Sequence, residues 1–155
     1  MPSTRFALAV LTCAVLAASC QSPVSGPAEV LIEARDYAFL APDSLPAGPT
    51  AFGLANAGTV PHEIILVRLK PDADIREILR IDAADSSWSA LRDEPNGILT
   101  AAPGITTPGQ LLVPLAAGER YLLVCNFQDA ATAPTHMHLG MFKVLTVQST
   151  SVGGR

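Results

Sequence analysis

Four side chains able to bind a soft metal lie within seventeen residues of one another: Cys125, His136, His138 and Met141. The segments around them read as strand, loop, strand. Tyr121 to Val124 is an apolar run of strand length, introduced by a glycine turn at Gly118 and ending on Cys125. Residues 126–135 carry Asn, Asp, Pro and small side chains, which is loop chemistry. His136, Met137, His138 and Met141 follow, and Phe142 to Val147 then favours a pleated strand through its Val and Thr residues. One connection between two strands thus collects a thiol, imidazoles and thioethers. Soft sulfur combined with imidazole is a ligand set that suits copper.

This order of features, a strand ending in Cys, a loop, a His, then Gly140-Met141 opening the last strand, resembles the cupredoxins, the blue copper family of plastocyanin and azurin. His136 precedes Met141 by five residues, the spacing of plastocyanin-like members. The family takes its first His from an earlier strand, after an Asn-Xaa-Gly turn, and Asn56-Ala57-Gly58-Thr59-Val60-Pro61-His62 offers that arrangement. The resemblance covers residues 28–148. It implies a copper site with His62, Cys125 and His136 in the plane and Met141 as a weak axial ligand. Three features depart from the pattern. The loop between Cys125 and His136 holds ten residues, where well-known members have a few, and Glu63 follows the first His, where plastocyanin and azurin have an Asn tying the ligand loops together. His138 is the alternative ligand, in addition to or in place of Met141, and Met137 is a second extra donor.

The rest of the chain must build a frame for these residues. Its 155 residues suit one domain, and 49% hydrophobic against 15% charged residues favours a packed core over disorder. A net charge of −4 without a Lys/Arg cluster excludes nucleic acid as a partner. Thirteen Pro and eleven Gly spread along the chain fit many short strands joined by turns.

Residues 1–19 read as a signal peptide, with Arg5 before an apolar stretch from Phe6 to Ala18 that is too short to span as a mature helix. Leu16-Ala17-Ala18-Ser19-Cys20 resembles a bacterial lipoprotein signal, in which Cys20 is lipidated. Ordinary signal-peptidase cleavage in the same region is the alternative. Either form implies export, and the lipoprotein form implies a domain held at the cell envelope, touching the membrane through its lipid anchor only. Cys125 is then the only thiol of the mature domain, in an oxidising compartment. Residues 20–27 read as a tether and 149–155 as a tail.

Between these ends, strands are expected at Glu29 to Ala34 continuing through Phe39, at Thr50 to Asn56, at Glu63 to Leu69 and at Gln110 to Leu115, with Pro114 marking an edge. Ile64 to Val67 is apolar without alternation and should be covered on both faces. Lys70 to Asn96 is expected to form a helical insertion, with Ile75, Ile78 and Leu79 at helical spacing and a second short helix from Ser86 to Arg92 carrying Trp88. Gly97 to Pro108 reads as a loop. The expected fold is all-β: a Greek-key β-sandwich of seven or eight strands with that short insertion.

No Ser-His-Asp spacing, phosphate-cradling Gly loop or pair of carboxylates in an apolar setting points to an enzyme. Three functions remain open: an exported carrier passing single electrons to a redox partner protein, a Cu(I) chaperone or buffer exchanging copper with a donor or acceptor protein, and a metal-free binding module built on the same scaffold.

Overall fold

Buried and exposed residues alternate along some strands, such as the C-terminal half of the first, while others carry unbroken apolar runs buried on both faces. In the computed structural model, which describes residues 26–81 and 92–148, nine strands and one short helix are present among the described residues. They are β1 (Ala28–Arg35), β2 (Ala38–Leu40), β3 (Ser44–Pro46), β4 (Gly48–Asn56), β5 (His62–Leu69), α1 (Ile75–Ile78), β6 (Arg92–Ala101), β7 (Leu111–Leu115), β8 (Arg120–Val124) and β9 (Phe142–Gln148). One sheet has the order β2-β1-β4-β7 and the other β3-β9-β8-β5-β6. β1 pairs with β4 in parallel and β3 with β9 in parallel; the chain crosses between the sheets at β2–β3, β3–β4, β4–β5, β6–β7 and β7–β8, while β1–β2, β5–β6 and β8–β9 are consecutive antiparallel pairs.

Ile32, Phe52, Leu54, Ile64, Leu66, Val113, Leu123 and Leu145 fill the space between the sheets. Cys125 and Met141 belong to this same core. A second apolar cluster lies on the other face of the five-stranded sheet, where Val67, Leu69, Leu122, Val124 and Met137 pack with Ala73 and Ile78. β5 therefore feeds apolar side chains to both of its faces, as its unbroken Ile64–Val67 run demands. Each fully buried aliphatic side chain of this kind contributes about 1.5–3 kcal/mol, and β5 and β8 supply such side chains to both clusters. They are also the strands that lead from His62 and into Cys125.

Several expectations need correction. Among the described residues of the insertion expected over Lys70–Asn96 there is one four-residue helix, capped by the Asp74 carboxylate accepting from the Arg76 amide at 2.8 Å. Arg92–Asn96, expected to close that insertion, and Gly97–Ala101, expected as loop, together form β6, paired antiparallel with β5. The Gly and Pro content that reads as loop is tolerated because β6 is the edge of its sheet, where one side of the ladder is unpaired and register shifts occur. Asp36 and Tyr37 do not continue the first strand. They turn the chain, Tyr37 with a φ of 62°, so that β2 folds back antiparallel on β1. Ser44–Pro46, between the expected first and second strands, forms β3, paired in parallel with β9. Pro114 does sit on an edge strand, β7. The signal segment, Cys20, most of the tether, Trp88 with its expected helix up to Leu91, and the tail from Ser149 lie outside the described residues.

Candidate metal centre

Three donor atoms from distant parts of the sequence converge at one end of the sandwich. His62 opens β5, Cys125 directly follows β8, and His136 ends the loop that leads to β9. All three are buried. His62 Nδ1 lies 3.2 Å from His136 Nδ1 and 4.0 Å from Cys125 Sγ, and His136 Nδ1 lies 3.4 Å from the same sulfur. They form a group able to hold a metal ion, with their donor atoms all within 4.8 Å of one another.

The outward nitrogens explain why the inner ones face each other. His62 Nε2 lies 3.4 Å from Asp36 Oδ1, and His136 Nε2 lies 3.0 Å from Asp129 Oδ1. Both carboxyls are held below the usual carboxylate range: Asp36 chiefly by the Thr59 amide, Asp129 chiefly by the Tyr37 hydroxyl and then by His136. An ionised carboxylate can only accept, so each of these contacts favours the tautomer with its proton on Nε2 and leaves Nδ1 available as an acceptor or metal donor. Burial, the largest influence on His62, lowers its pKa and keeps that ring neutral. Two lone pairs and a sulfur therefore meet in a pocket closed to solvent. In the metal-free protein the thiol proton can bridge Sγ and His136 Nδ1, and a metal ion among the three atoms would take its place.

The dimensions agree with that chemistry. Bonds of about 2.0–2.3 Å to nitrogen and sulfur, at angles between tetrahedral and trigonal, place donor atoms roughly 3.3–3.8 Å apart. The observed separations of 3.2, 3.4 and 4.0 Å bracket this range. Burial pushes the Cys125 thiol up, while the backbone amides of Glu63 and Phe127 favour its thiolate. The Glu63 amide lies 3.4 Å from Sγ.

Local structure on each side of the site follows from identifiable residues. The buried Asn56 organises the turn before His62: its Nδ2 donates to the Val60 and Ala101 carbonyls at 2.9 and 3.0 Å, and its Oδ1 accepts from the Gly58 amide at 2.8 Å. Gly58 must lack a side chain because a Cβ there would run into Asp36 Oδ1 and stand 2.9 Å from His62 Nε2. On the other side, the ten-residue loop is pinched at its base. The His136 amide donates to the Phe127 carbonyl at 2.8 Å, Met137 to Cys125 at 2.8 Å, and Met141 to His136 at 2.9 Å. Loop length therefore does not loosen the ligands, since the excess residues bulge outward beyond these bonds.

Glu63 stands where the resembled proteins carry Asn, and it ties the same two segments. Its Oε1 accepts from the Asn126 amide at 3.1 Å while its own amide reaches Cys125 Sγ. Burial pushes the Glu63 carboxyl up, and the Asn126 bond partly offsets this.

Met141 is fully buried in the same core cluster as Cys125, and the Cys125 amide donates to its carbonyl at 3.3 Å. His138 and Met137 go elsewhere. His138 is exposed, with its Nδ1 2.7 Å from Thr135 Oγ1, and Met137 is buried in the second cluster across the five-stranded sheet. Sequence reasoning did not find Asp36, Tyr37 or Asp129. Nothing in their spacing marks them, because they lie on turns and loops that only the fold brings to the imidazoles.

No helix among the described residues is long and apolar enough to cross a membrane. No protein-family model matches the sequence, and no curated protein is similar to it. Solved structures are similar in fold. A dithionite-reduced auracyanin from the photosynthetic bacterium Roseiflexus castenholzii superposes with a TM-score of 0.51 at 20% identity, covering 79% of this chain and 98% of that one. Auracyanin B gives 0.51 at 24% identity over 80% and 91% of the two chains. Auracyanin A, a "blue" copper protein from the green thermophilic photosynthetic bacterium Chloroflexus aurantiacus, gives 0.52 at 24% identity over 79% and 100%. At these identities the likeness speaks to architecture. This chain has the cupredoxin fold, the two-sheet sandwich that the auracyanins share.

Proposed function

We propose that this protein is a blue copper electron carrier, exported and held at the cell envelope through Cys20. The observation that carries the reading is the convergence of two buried imidazole Nδ1 atoms, 3.2 Å apart, on the buried Cys125 sulfur. Two imidazoles and a thiolate, with Met141 buried alongside as a weak thioether donor, match the donor chemistry of copper electron-transfer sites. Copper bound there would supply a one-electron couple. The residues supply rigidity: His62 and Cys125 sit at the ends of two hydrogen-bonded strands, and His136 is fixed by backbone bonds on both sides. A frame that resists rearrangement between oxidation states favours rapid electron exchange over catalysis.

A surface cleft of about 510 Å³, lined by Val60, Pro61, Phe127, Gln128, Asp129 and His136, ends against His136, whose buried ring separates it from Cys125 and His62. Its mixture of apolar side chains with one carboxylate suits a transient protein partner. The buffer reading finds less support. It needs His136, Met137, His138 and Met141 on one surface, and these side chains divide between the site, the second core and solvent.

The test is to load the full-length protein with Cu(II) and record its visible spectrum. A copper–thiolate bond gives intense visible absorption that imidazole or thioether ligation alone does not. Wild type should be strongly coloured, and Cys125→Ser should lose the colour while keeping its fold. Copper uptake without colour would remove Cys125 from the ligand set. No uptake would favour the metal-free scaffold. Fractionation of cells expressing wild type and Cys20→Ser tests the anchor, since only wild type should label with lipid and remain with membranes.

A further inference from the structure

Tyr37 occupies a left-handed backbone conformation that is strained for a non-glycine residue, with a φ of 62°. What offsets this strain lies at the tip of its side chain. The Tyr37 hydroxyl donates to Asp129 Oδ2 at 2.5 Å, and its ring meets His136 edge-on, with centroids 5.1 Å apart and planes at 78°. Asp129 Oδ1 in turn takes His136 Nε2 at 3.0 Å. Both oxygens of Asp129 are thus engaged by the site, one by the imidazole and one by the residue that braces it. Asp36, the corresponding partner of His62, is used differently. It binds the Thr59 amide at 2.7 Å and the Thr59 hydroxyl at 2.8 Å, and its approach to His62 is longer, at 3.4 Å. Asp36 holds a turn together; Asp129 has no comparable bond to the backbone among those described.

We propose that Asp129, braced by Tyr37, is a positioning residue that fixes the His136 tautomer and holds its Nδ1 towards Cys125, and that its charge biases a copper site there towards Cu(II). The second half rests on the copper reading given above; the first does not. A carboxylate that accepts from the outer nitrogen of a ligand imidazole makes the inner nitrogen a better donor and fixes the orientation of the ring. A full negative charge across that bond also interacts more favourably with Cu(II) than with Cu(I), because the metal charge is larger by one. Tyr37 keeps the carboxylate from turning away into solvent, to which Asp129 is about one-third open.

The experiment uses the full-length protein with Asp129→Asn, Tyr37→Phe and, as a control, Asp43→Asn, whose carboxylate pairs with Lys143 on the surface instead of with a ligand imidazole. Nitrogen-15 NMR of the metal-free protein reads the His136 tautomer. Wild type and the control should show the Nε2-protonated form, and Asp129→Asn should show a mixture. Redox titration of the copper-loaded protein reads the bias. Outer partners of ligand imidazoles typically change metal affinity by about 10–100-fold. Lost selectively from Cu(II), this raises the potential by about 60–120 mV, at 59 mV per tenfold. Tyr37→Phe should move it the same way by less.

A wild-type tautomer in Asp129→Asn overturns the positioning role, and an unchanged potential overturns the bias, even with the blue colour intact. Should wild type take up no copper, the electron-carrier reading falls and the bias with it. The tautomer spectrum then still decides the positioning role. Equal shifts in the Asp43→Asn control would reduce the potential effect to general surface charge and overturn the bias as well.

Discussion

Gly58→Ala is a one-carbon probe of how the first histidine is held. The backbone at Gly58 is not in the left-handed region, so space and not torsional strain decides the outcome. The new methyl would overlap Asp36 Oδ1, stand 2.9 Å from His62 Nε2 and lie 3.1 Å from the Asp36 amide nitrogen. Asp36 must then retreat from Thr59, giving up most of two hydrogen bonds at 2.7 and 2.8 Å. At about 0.5–1.5 kcal/mol each, and towards the low end for an exposed acceptor, the loss is about 1–2 kcal/mol. Reduced freedom of the unfolded chain returns about 0.4–1 kcal/mol. The steric term wins, and the metal-free protein should be destabilised by about 1 kcal/mol net. Gly109→Ala supplies the comparison, because a Cβ there meets nothing within 4 Å and the same chain-entropy term should leave it neutral or up to about 1 kcal/mol more stable. Urea unfolding of both variants measures the difference. A double-mutant cycle with Asp36→Ala sharpens it: with the carboxylate gone, Gly58→Ala should cost clearly less, leaving only the approach to His62 and to the backbone. Equal stability of the two glycine variants would refute the reasoning, as would a Gly58→Ala cost that Asp36→Ala leaves unchanged.

Met141→Leu should keep the visible band of the copper-loaded protein and change its reduction potential, since Leu fills nearly the same core volume and removes only a weak axial donor; spectroelectrochemistry reads both. Glu63→Ala should lower the stability of the metal-free protein by about 1–3 kcal/mol, the cost of stranding the Asn126 amide. Glu63→Gln should recover most of that loss in the same urea unfolding series, because the amide oxygen still accepts and no charge is buried.

How much of this was legible in the sequence depends on what kind of signal each feature leaves. The ligand atoms on the C-terminal connection lie within one turn-and-loop segment, so their order along the chain nearly equals their order in space. Cys125 ends a strand because Tyr121 to Val124 is an apolar run, and His136 and Met141 share one tight turn closed by the Met141 amide bond to His136. His62 needed the resemblance, since seventy-four residues separate it from His136 and no local pattern links them. The spacing of Ile75, Ile78 and Leu79 marks the helix α1 locally, but Arg92–Asn96, expected to close the insertion, takes its state from a distant pairing partner. Arg92–Ala101 carries Pro95 and Gly97, and its strand state comes from lying along β5, an influence that local propensity does not contain.

The departures from the resembled pattern teach the reverse lesson. A ten-residue loop and a Glu in place of Asn look disqualifying when a motif is matched letter by letter. What the site requires is the geometry those letters usually deliver, an acceptor for the amide after the cysteine and a closed base beneath the loop. Glu63 and the His136–Phe127 bond deliver it with different residues. The same logic accounts for the residues that were missed. Asp36 and Asp129 require no spacing because they act from outside the ligand set, each on the far nitrogen of an imidazole that another part of the chain has already placed. A sequence records donors in order; it records who orients them only through the fold.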